Sequence, residues 1–141
     1  MKQRRLTHIS APEGVEPSSG YTHVVTGPGR LAALAGQMPF DEKGALVGEG
    51  DPAAQARQVF TNMRACLAAT GATFDDVIKL TYYVTDVAFV PAVLAVRDEF
   101  IDTARPPAST VVQVVALFRP ELLLEVDAFA LVGDTAGTAA R

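Results

Sequence analysis

Few reactive side chains in this sequence have a second functional residue at a spacing suited to catalysis or metal binding. Cys66 is the only cysteine, so no disulfide can form within the chain, and its place in an apolar helical pattern favours a buried packing thiol over a nucleophile. His8 and His23 are the only histidines, and no cluster of metal ligands is visible. Glu125 and Asp127 alternate with apolar residues, and this pattern alone favours solvent-exposed carboxylates on the polar side of a strand.

The charge balance argues against one class of partner. The formal net charge is −4 at pH 7 and the isoelectric point is about 5.1. Proteins that bind nucleic acid usually carry a basic surface that displaces counterions from phosphates. The only basic run, Lys2, Arg4 and Arg5, lies at the N-terminus and is interpreted as a solvated tail. No nucleic-acid partner is therefore expected.

The composition predicts an oligomer. The chain has 141 residues, of which 49% are hydrophobic, and one domain is predicted over residues 1–141. Because a chain this small has a limited interior, part of its apolar surface is expected to lie between subunits. The N-terminal residues show no signal peptide, and no run of about 18 apolar residues exists. We therefore expect a cytoplasmic location and no membrane partner.

The first half of the chain predicts three strands and a helix. Asp51 and Pro52 form a helix start, because Asp can cap the first turn and Pro at the first helical position loses no needed donor. Apolar residues three and four apart then predict one buried stripe, and Gly71 ends the helix. The second and third strands are expected to form a hairpin. The predicted strands span 6–10, 21–26 and 31–35, and the helix spans 52–70.

The second half predicts a strand, a helix and a closing hairpin. The strand alternates cleanly, and two long apolar segments follow the helix on either side of the turn at Arg119-Pro120-Glu121. The order β-β-β-α-β-α-β-β indicates an α+β fold in which the helices cover only one sheet face, so another subunit is expected to cover the other face. Residues 133–141 are expected to be a disordered tail. The predicted strands span 77–85, 109–117 and 122–132, and the helix spans 90–101.

Several short motifs follow one another between residues 21 and 131. They are Gly36-Gln37-Met38-Pro39, Ala53-Ala54-Gln55-Ala56-Arg57-Gln58 with Asn62 and Ala65, Thr70-Gly71, Asp76-Val77-Ile78-Lys79-Leu80-Thr81, Val84-Thr85-Asp86, Phe89, Phe100, Pro107-Ala108 and Leu124-Glu125-Val126-Asp127-Ala128. Each motif alone is weak. Their order and spacing together resemble the Rid family of reactive intermediate deaminases, also called endoribonuclease L-PSP.

The resemblance implies a fold, an assembly and a reaction. The family's fold is chorismate-mutase-like, and three subunits pack their sheets into a central barrel with a ligand cleft at each subunit boundary. Its best-known members hydrolyse reactive enamines and imines, such as 2-aminoacrylate, to keto acids and ammonia without a cofactor. By this resemblance we expect a homotrimer that binds a small molecule in clefts between subunits.

The resemblance also assigns site residues. Glu125 falls on the family's glutamate, which positions or deprotonates the attacking water. Tyr21 resembles the tyrosine that lines the cleft, although packing on the sheet explains it equally well. Gly36, from the Gly-Gln motif, is expected to contact substrate. Ser109 stands where the family has a carboxylate-binding arginine, and Ser109 and Thr110 offer hydroxyl groups instead.

Other departures weaken the expected carboxylate site. Ala35, Val93 and Val111 replace a small hydroxyl residue, an asparagine and a cysteine that deaminating members often carry. Arg105, Arg119 and Arg30 are candidates to replace the missing guanidinium, although each is better explained as a surface or turn residue.

The sequence leaves three functions open. The first is hydrolysis of an imine, an enamine or a related small carbonyl compound other than 2-aminoacrylate. The second is a non-catalytic trimer that binds a small metabolite. The third is ribonuclease activity, against which the acidic isoelectric point and the lack of a paired histidine catalyst argue.

Overall fold

Two helices pack on one face of a four-stranded mixed sheet in the computed structural model, which describes residues 5–133. The order in this sheet is β3-β6-β4-β5, with β4 and β5 parallel and the other neighbours antiparallel, while β1 and β2 form a separate small sheet. The predicted α+β class is confirmed. The strands are β1 (Thr7–Ile9), β2 (Val24–Thr26), β3 (Arg30–Gln37), β4 (Val77–Val84), β5 (Ala108–Gln113) and β6 (Leu124–Val132), and the helices are α1 (Pro52–Ala69) and α2 (Val90–Arg97).

Helix α1 begins and ends as its sequence predicts. The Asp51 side chain accepts a hydrogen bond from the Ala54 N–H, and Pro52 occupies the first turn. Gly71, with φ of 82°, turns the chain away from the helix in a conformation that favours glycine. The stripe that faces the sheet is fully buried and consists of Ala56, Val59, Phe60, Met63 and Leu67.

The central strands bury one face and leave the other open. Along β6, buried residues alternate with Glu125, Asp127 and Phe129, and Phe129 is 43% exposed. Along β4, Lys79, Thr81 and Tyr83 lie on this same side and are only partly buried. We call this side of the sheet, away from the helices, the outer face. This is the face that the sequence predicts another subunit to cover, since the two helices pack only on the opposite face, and that subunit stays a prediction.

Two predicted hairpins are wrong. Strand β2 pairs with β1 instead of β3, and β3 pairs with β6 along most of its length. Strand β6 does not pair with β5 but lies between β3 and β4. The segment that contains α2 is long enough to carry the chain across the sheet face, so β5 adds to β4 in parallel and leaves the central place to β6.

Two boundaries also differ from the prediction. Strand β5 ends at Gln113, and the apolar residues beyond it form a connection in which Val115 is fully exposed and Phe118 is 82% exposed. Helix α2 ends at Arg97 instead of residue 101. Neither helix of the described chain is long and apolar enough to cross a membrane. Apart from Gly133, the segment predicted to be a tail lies outside the described residues.

Candidate functional site

Glu125 lies directly against the backbone of Gly36. The two residues come from neighbouring strands, β6 and β3, at the point where the register shifts between Leu34 and Gln37. A Cβ atom added at Gly36 would lie 2.0 Å from Glu125 Oε1 and 2.7 Å from its Cδ. The absence of a side chain at Gly36 is therefore what makes room for the carboxylate, and the structure brings these two predicted site residues together.

The surroundings of Glu125 favour the protonated form of its carboxyl group. Burial raises the pKa of Glu125, and the nearby charge of Asp127 raises it further. Asp127 is held by Tyr83, whose hydroxyl donates a 3.0 Å hydrogen bond to Asp127 Oδ2. No donor among residues 5–133 hydrogen-bonds the Glu125 carboxylate. A carboxylate of this kind is suited to accept a proton from water.

Tyr21 lies in a different part of the molecule, in a cleft of about 560 Å³. The Thr22 N–H donates a 3.2 Å hydrogen bond to the Pro107 carbonyl, and the Thr22 hydroxyl donates to the Pro106 carbonyl. These bonds hold the loop that contains Tyr21 and Thr22 beside Pro106 and Pro107, which lead into β5. The Tyr21 ring also packs edge-on against His23, with ring centroids 5.2 Å apart. Tyr21 therefore lines a cleft within the single chain, and its place at a subunit boundary stays a prediction.

Glu125 and the Tyr21 cleft lie at opposite ends of the sheet within one chain. Glu125 pairs with Tyr83, which in turn pairs with Val112 near the end of β5. Tyr21 instead neighbours Pro107, before β5 begins. Residues 107 to 112 of an extended chain span about 16 Å, and two strand spacings add about 10 Å across the sheet. A small molecule cannot contact both groups of one chain.

Ser109 and Thr110 point to opposite faces of the sheet. Ser109 pairs with the buried Leu80, whereas Thr110 pairs with Thr81 on the outer face. The Lys79 ammonium donates a hydrogen bond to the Thr110 hydroxyl. Thr110 thus shares a face with Glu125 but lies two strands away from it, and Ser109 faces the helix side.

The three candidate arginines occupy three different places. Arg105 lines the Tyr21 cleft. Arg119 lies over the Phe40 ring, 5.1 Å from its centroid, and pairs with Glu121 at 2.9 Å. Arg30 is exposed at the first position of β3. Only Arg105 is therefore placed beside a predicted site residue.

Arg97 is a buried residue whose role the sequence did not reveal. It is 5% exposed, and its guanidinium donates to the Gly20 carbonyl at 2.9 Å and to Asp98 Oδ1 at 2.8 and 3.0 Å. Burial raises the pKa of Tyr82 to about 12, and the neighbouring Arg97 opposes this rise. Through its hydrogen bond to the Gly20 carbonyl, Arg97 of α2 fastens the loop in which Tyr21 lies. The one clue in the sequence to a buried role was the position of this arginine within the apolar stripe of the predicted second helix.

Neither the surroundings of Glu125 nor the Tyr21 cleft contains a cluster of metal ligands in the described part of the chain. Within residues 5–133, no group of three His, Cys, Asp or Glu side chains could hold a metal ion. Two features are therefore the candidate sites: the Glu125 carboxylate against the backbone of Gly36, and the cleft lined by Tyr21 and Arg105.

Comparison with known proteins identifies the family. The family model described as "Endoribonuclease L-PSP" matches residues 10–132. The chain is 34% identical to protein DfrA of Myxococcus xanthus over 93% of this chain and 97% of the relative. It is 32% identical to a 2-iminobutanoate/2-iminopropanoate deaminase of Dermatophagoides farinae over 79% of this chain and 84% of the relative.

A solved structure agrees with this match. YyfB from Yersinia pestis, described as a member of the conserved Rid protein family, superposes with a TM-score of 0.82 at 37% identity, over 91% of this chain and 99% of that one. The ordered motifs, the two helices on a mixed sheet and the matched span of residues 10–132 lead to one conclusion: the chain belongs to the endoribonuclease L-PSP, or Rid, family.

Proposed function

We propose that this protein is a hydrolase that deaminates a small imine or enamine other than 2-aminoacrylate, without a cofactor. The observation that carries the proposal is the contact between Glu125 and the bare backbone of Gly36, which holds a carboxylate with a raised pKa on an open face. The 32% identity to a protein named as an imine deaminase supports the reaction class. The cytoplasmic location expected from the sequence remains part of this proposal.

Glu125 would act on water. Water adds to the imine carbon as Glu125 accepts one of its protons, and the C=N pair of electrons moves to nitrogen, which takes that proton from Glu125. The resulting carbinolamine then collapses: Glu125 moves the hydroxyl proton to the nitrogen, a C=O bond forms, the C–N bond breaks and nitrogen leaves as ammonia. Imine and water thus give a carbonyl compound and ammonia, and Glu125 returns to its starting state.

The complete site would lie between two copies of the chain in a homotrimer. Glu125 and the Tyr21 cleft are too far apart in one chain to share a small substrate, so the cleft of one subunit would meet Glu125 of the next. The exposed apolar residues on this side of the sheet, Leu31 at 65% and Phe129 at 43%, offer surface for that packing. Analytical ultracentrifugation would test this assembly, with an expected mass of three times the 14.9 kDa chain.

A second candidate is a non-catalytic trimer that binds a small metabolite. Ser109 favours it, because the resemblance places a carboxylate-binding arginine there and a hydroxyl cannot replace the bidentate pair. Neither candidate includes a nucleic-acid partner, which the net charge of −4 disfavours.

Ammonia release from a panel of freshly generated imines, both 2-imino acids and imines whose carbon is remote from the carboxylate, tests the first candidate. We expect the wild-type protein to release ammonia and the isosteric Glu125→Gln variant to lose this activity. Glu99→Gln is the matched control, because Glu99 is exposed and its one ion pair within residues 5–133 is with Arg57 of helix α1. Thermal stabilisation by oxo acids without ammonia release above the variant would instead support the binding trimer.

A further inference from the structure

The Tyr21 cleft is built for an anion. Its described lining contains Arg105, His8 and Tyr21 as titratable side chains, and it contains no aspartate or glutamate. Asp102, the acidic residue nearest to Arg105 along the chain, accepts a hydrogen bond from the Ala104 N–H instead. In a protein of net charge −4, a lining with a guanidinium and no carboxylate is unusual.

The guanidinium of Arg105 keeps donors available for a ligand. Its Nη2 donates to the Leu6 carbonyl at 3.0 Å and lies 3.3 Å from His8 Nδ1. Nη1 and Nε make no hydrogen bond within the described part of the chain. The Leu6 bond orients the side chain, and the remaining N–H groups can pair with the two oxygens of one carboxylate.

The loop that carries Tyr21, which lines the same cleft as Arg105, is held in place by hydrogen bonds within the chain. Arg97 holds the Gly20 carbonyl, and Thr22 bonds the segment at Pro106 and Pro107 on the other side. The loop that carries Tyr21 is therefore tied at both ends. A cleft fixed in this way loses little conformational entropy on binding.

The position of Arg105 determines where an anion would sit. It precedes Ser109, the position at which the resemblance places the family arginine, by about 13 Å of extended chain. Its guanidinium is also held toward β1 by the Leu6 carbonyl and His8, not toward β5. In the inter-subunit cleft of the proposed trimer, an anionic group bound to Arg105 would therefore lie farther from the reacting carbon than one bound at residue 109.

We infer that Arg105 and Tyr21 form a binding site for the distal carboxylate of the substrate, separated by several bonds from the imine carbon. The substrate class is thus the imine of a small oxo acid whose carbonyl is remote from its carboxylate, instead of a 2-imino acid. The inference rests on the proposed function for the nature of the reacting group and for its place beside Glu125 of the next subunit.

Binding of stable product-like oxo compounds tests the inference without turnover. Isothermal titration calorimetry would compare 4-oxopentanoate, its neutral methyl ester and pyruvate. We expect 4-oxopentanoate to bind the wild-type protein about tenfold more tightly than either of the others, because the ester has no charge to pair with Arg105 and pyruvate carries its carboxylate next to its carbonyl. Arg105→Gln should abolish the preference for the acid over the ester, and Arg119→Gln should leave it unchanged.

A second variant keeps the test decisive if Arg105→Gln fails to fold. Arg105→Lys retains the charge but not the bidentate geometry, so a reduced preference for the acid over the ester is expected. Pyruvate binding more tightly than 4-oxopentanoate would overturn the distal position. An unchanged acid preference in the folded Arg105 variants would overturn the site. If either result accompanied ammonia release that still depended on Glu125, the proposed function would stand and only this inference would fall.

Discussion

The two ends of the sheet show opposite ways of building a functional group into a small fold. At one end Glu125 rests on Gly36, and its surroundings provide burial and a second carboxylate but no cation. At the other end Tyr21 and Arg105 line a cleft without an acidic side chain. The first end would hold a proton acceptor and the second would hold an anion. This separation keeps Arg105 from neutralising Glu125 within one chain.

The largest effect is expected from Gly36→Ala, which breaks the Glu125 end alone. The new methyl group would occupy the place of the carboxylate, since its carbon would lie 2.0 Å from Glu125 Oε1. Displacing a catalytic group by about 1 Å can cost about a hundredfold in rate, so we expect ammonia release to fall by that order. Gly44→Ala is the control for loss of a glycine without a steric clash: a Cβ there meets no atom within 4 Å, and its φ of 80° limits the cost to backbone strain at an exposed position. Equal rates in the two variants would contradict the role of the Gly36 contact.

A smaller effect is expected from Arg97→Met, which loosens the Tyr21 end. The change removes the hydrogen bond to the Gly20 carbonyl and the pair with Asp98, and we expect unfolding free energy to fall by about 2 kcal/mol. Urea denaturation would measure it. Arg57→Met is the control: its pair with Glu99 is half-exposed, and exposed pairs contribute about 0.2–1 kcal/mol. A loss no larger than that of the control would show that Arg97 does not fasten the loop.

The smallest effect is expected from Asp127→Asn, which changes the charge beside Glu125 and leaves its contact with Gly36. Because Asp127 raises the pKa of Glu125, its neutralisation should lower that pKa. Activity that requires ionised Glu125 rises with pH through this pKa, so the acid limb of the pH–rate profile should move to lower pH. An acid limb that stays in place, or moves to higher pH, would contradict this coupling. Asp75→Asn, on the far side of the core, is the control.

The sequence predicted the helices better than the pairing of the strands. Helix α1 follows from its Asp51 cap and a stripe of apolar residues, which are local features. The place of β6 between β3 and β4 is not local, because a helix and other elements separate it along the chain from both partners. A short turn at Arg119 to Glu121 favoured a hairpin, whereas the crossover through α2 delivered β5 to the other side of β4.

The candidate site was likewise predicted in part. The motifs indicated Gly36 and Glu125, and the structure places them in contact. Ser109 and Thr110 were predicted as one pair of hydroxyl groups, yet strand alternation sends them to opposite faces. Arg105 was one of three equal candidates until the fold brought residues 6–8, 18–22 and 103–106 around one cleft.

Sequence by itself determined the family and the α+β class, because these follow from ordered motifs, periodicity and local caps, and the same motifs predicted Glu125 as the candidate carboxylate. Only the tertiary structure decided that Glu125 lies at one end of the sheet and that Arg97 and Arg105 serve the Tyr21 loop at the other. The physical reason is that side-chain neighbours across a sheet or a cleft depend on strand order and register. Those depend on which distant segments bury each other's apolar faces, and no local pattern encodes that choice.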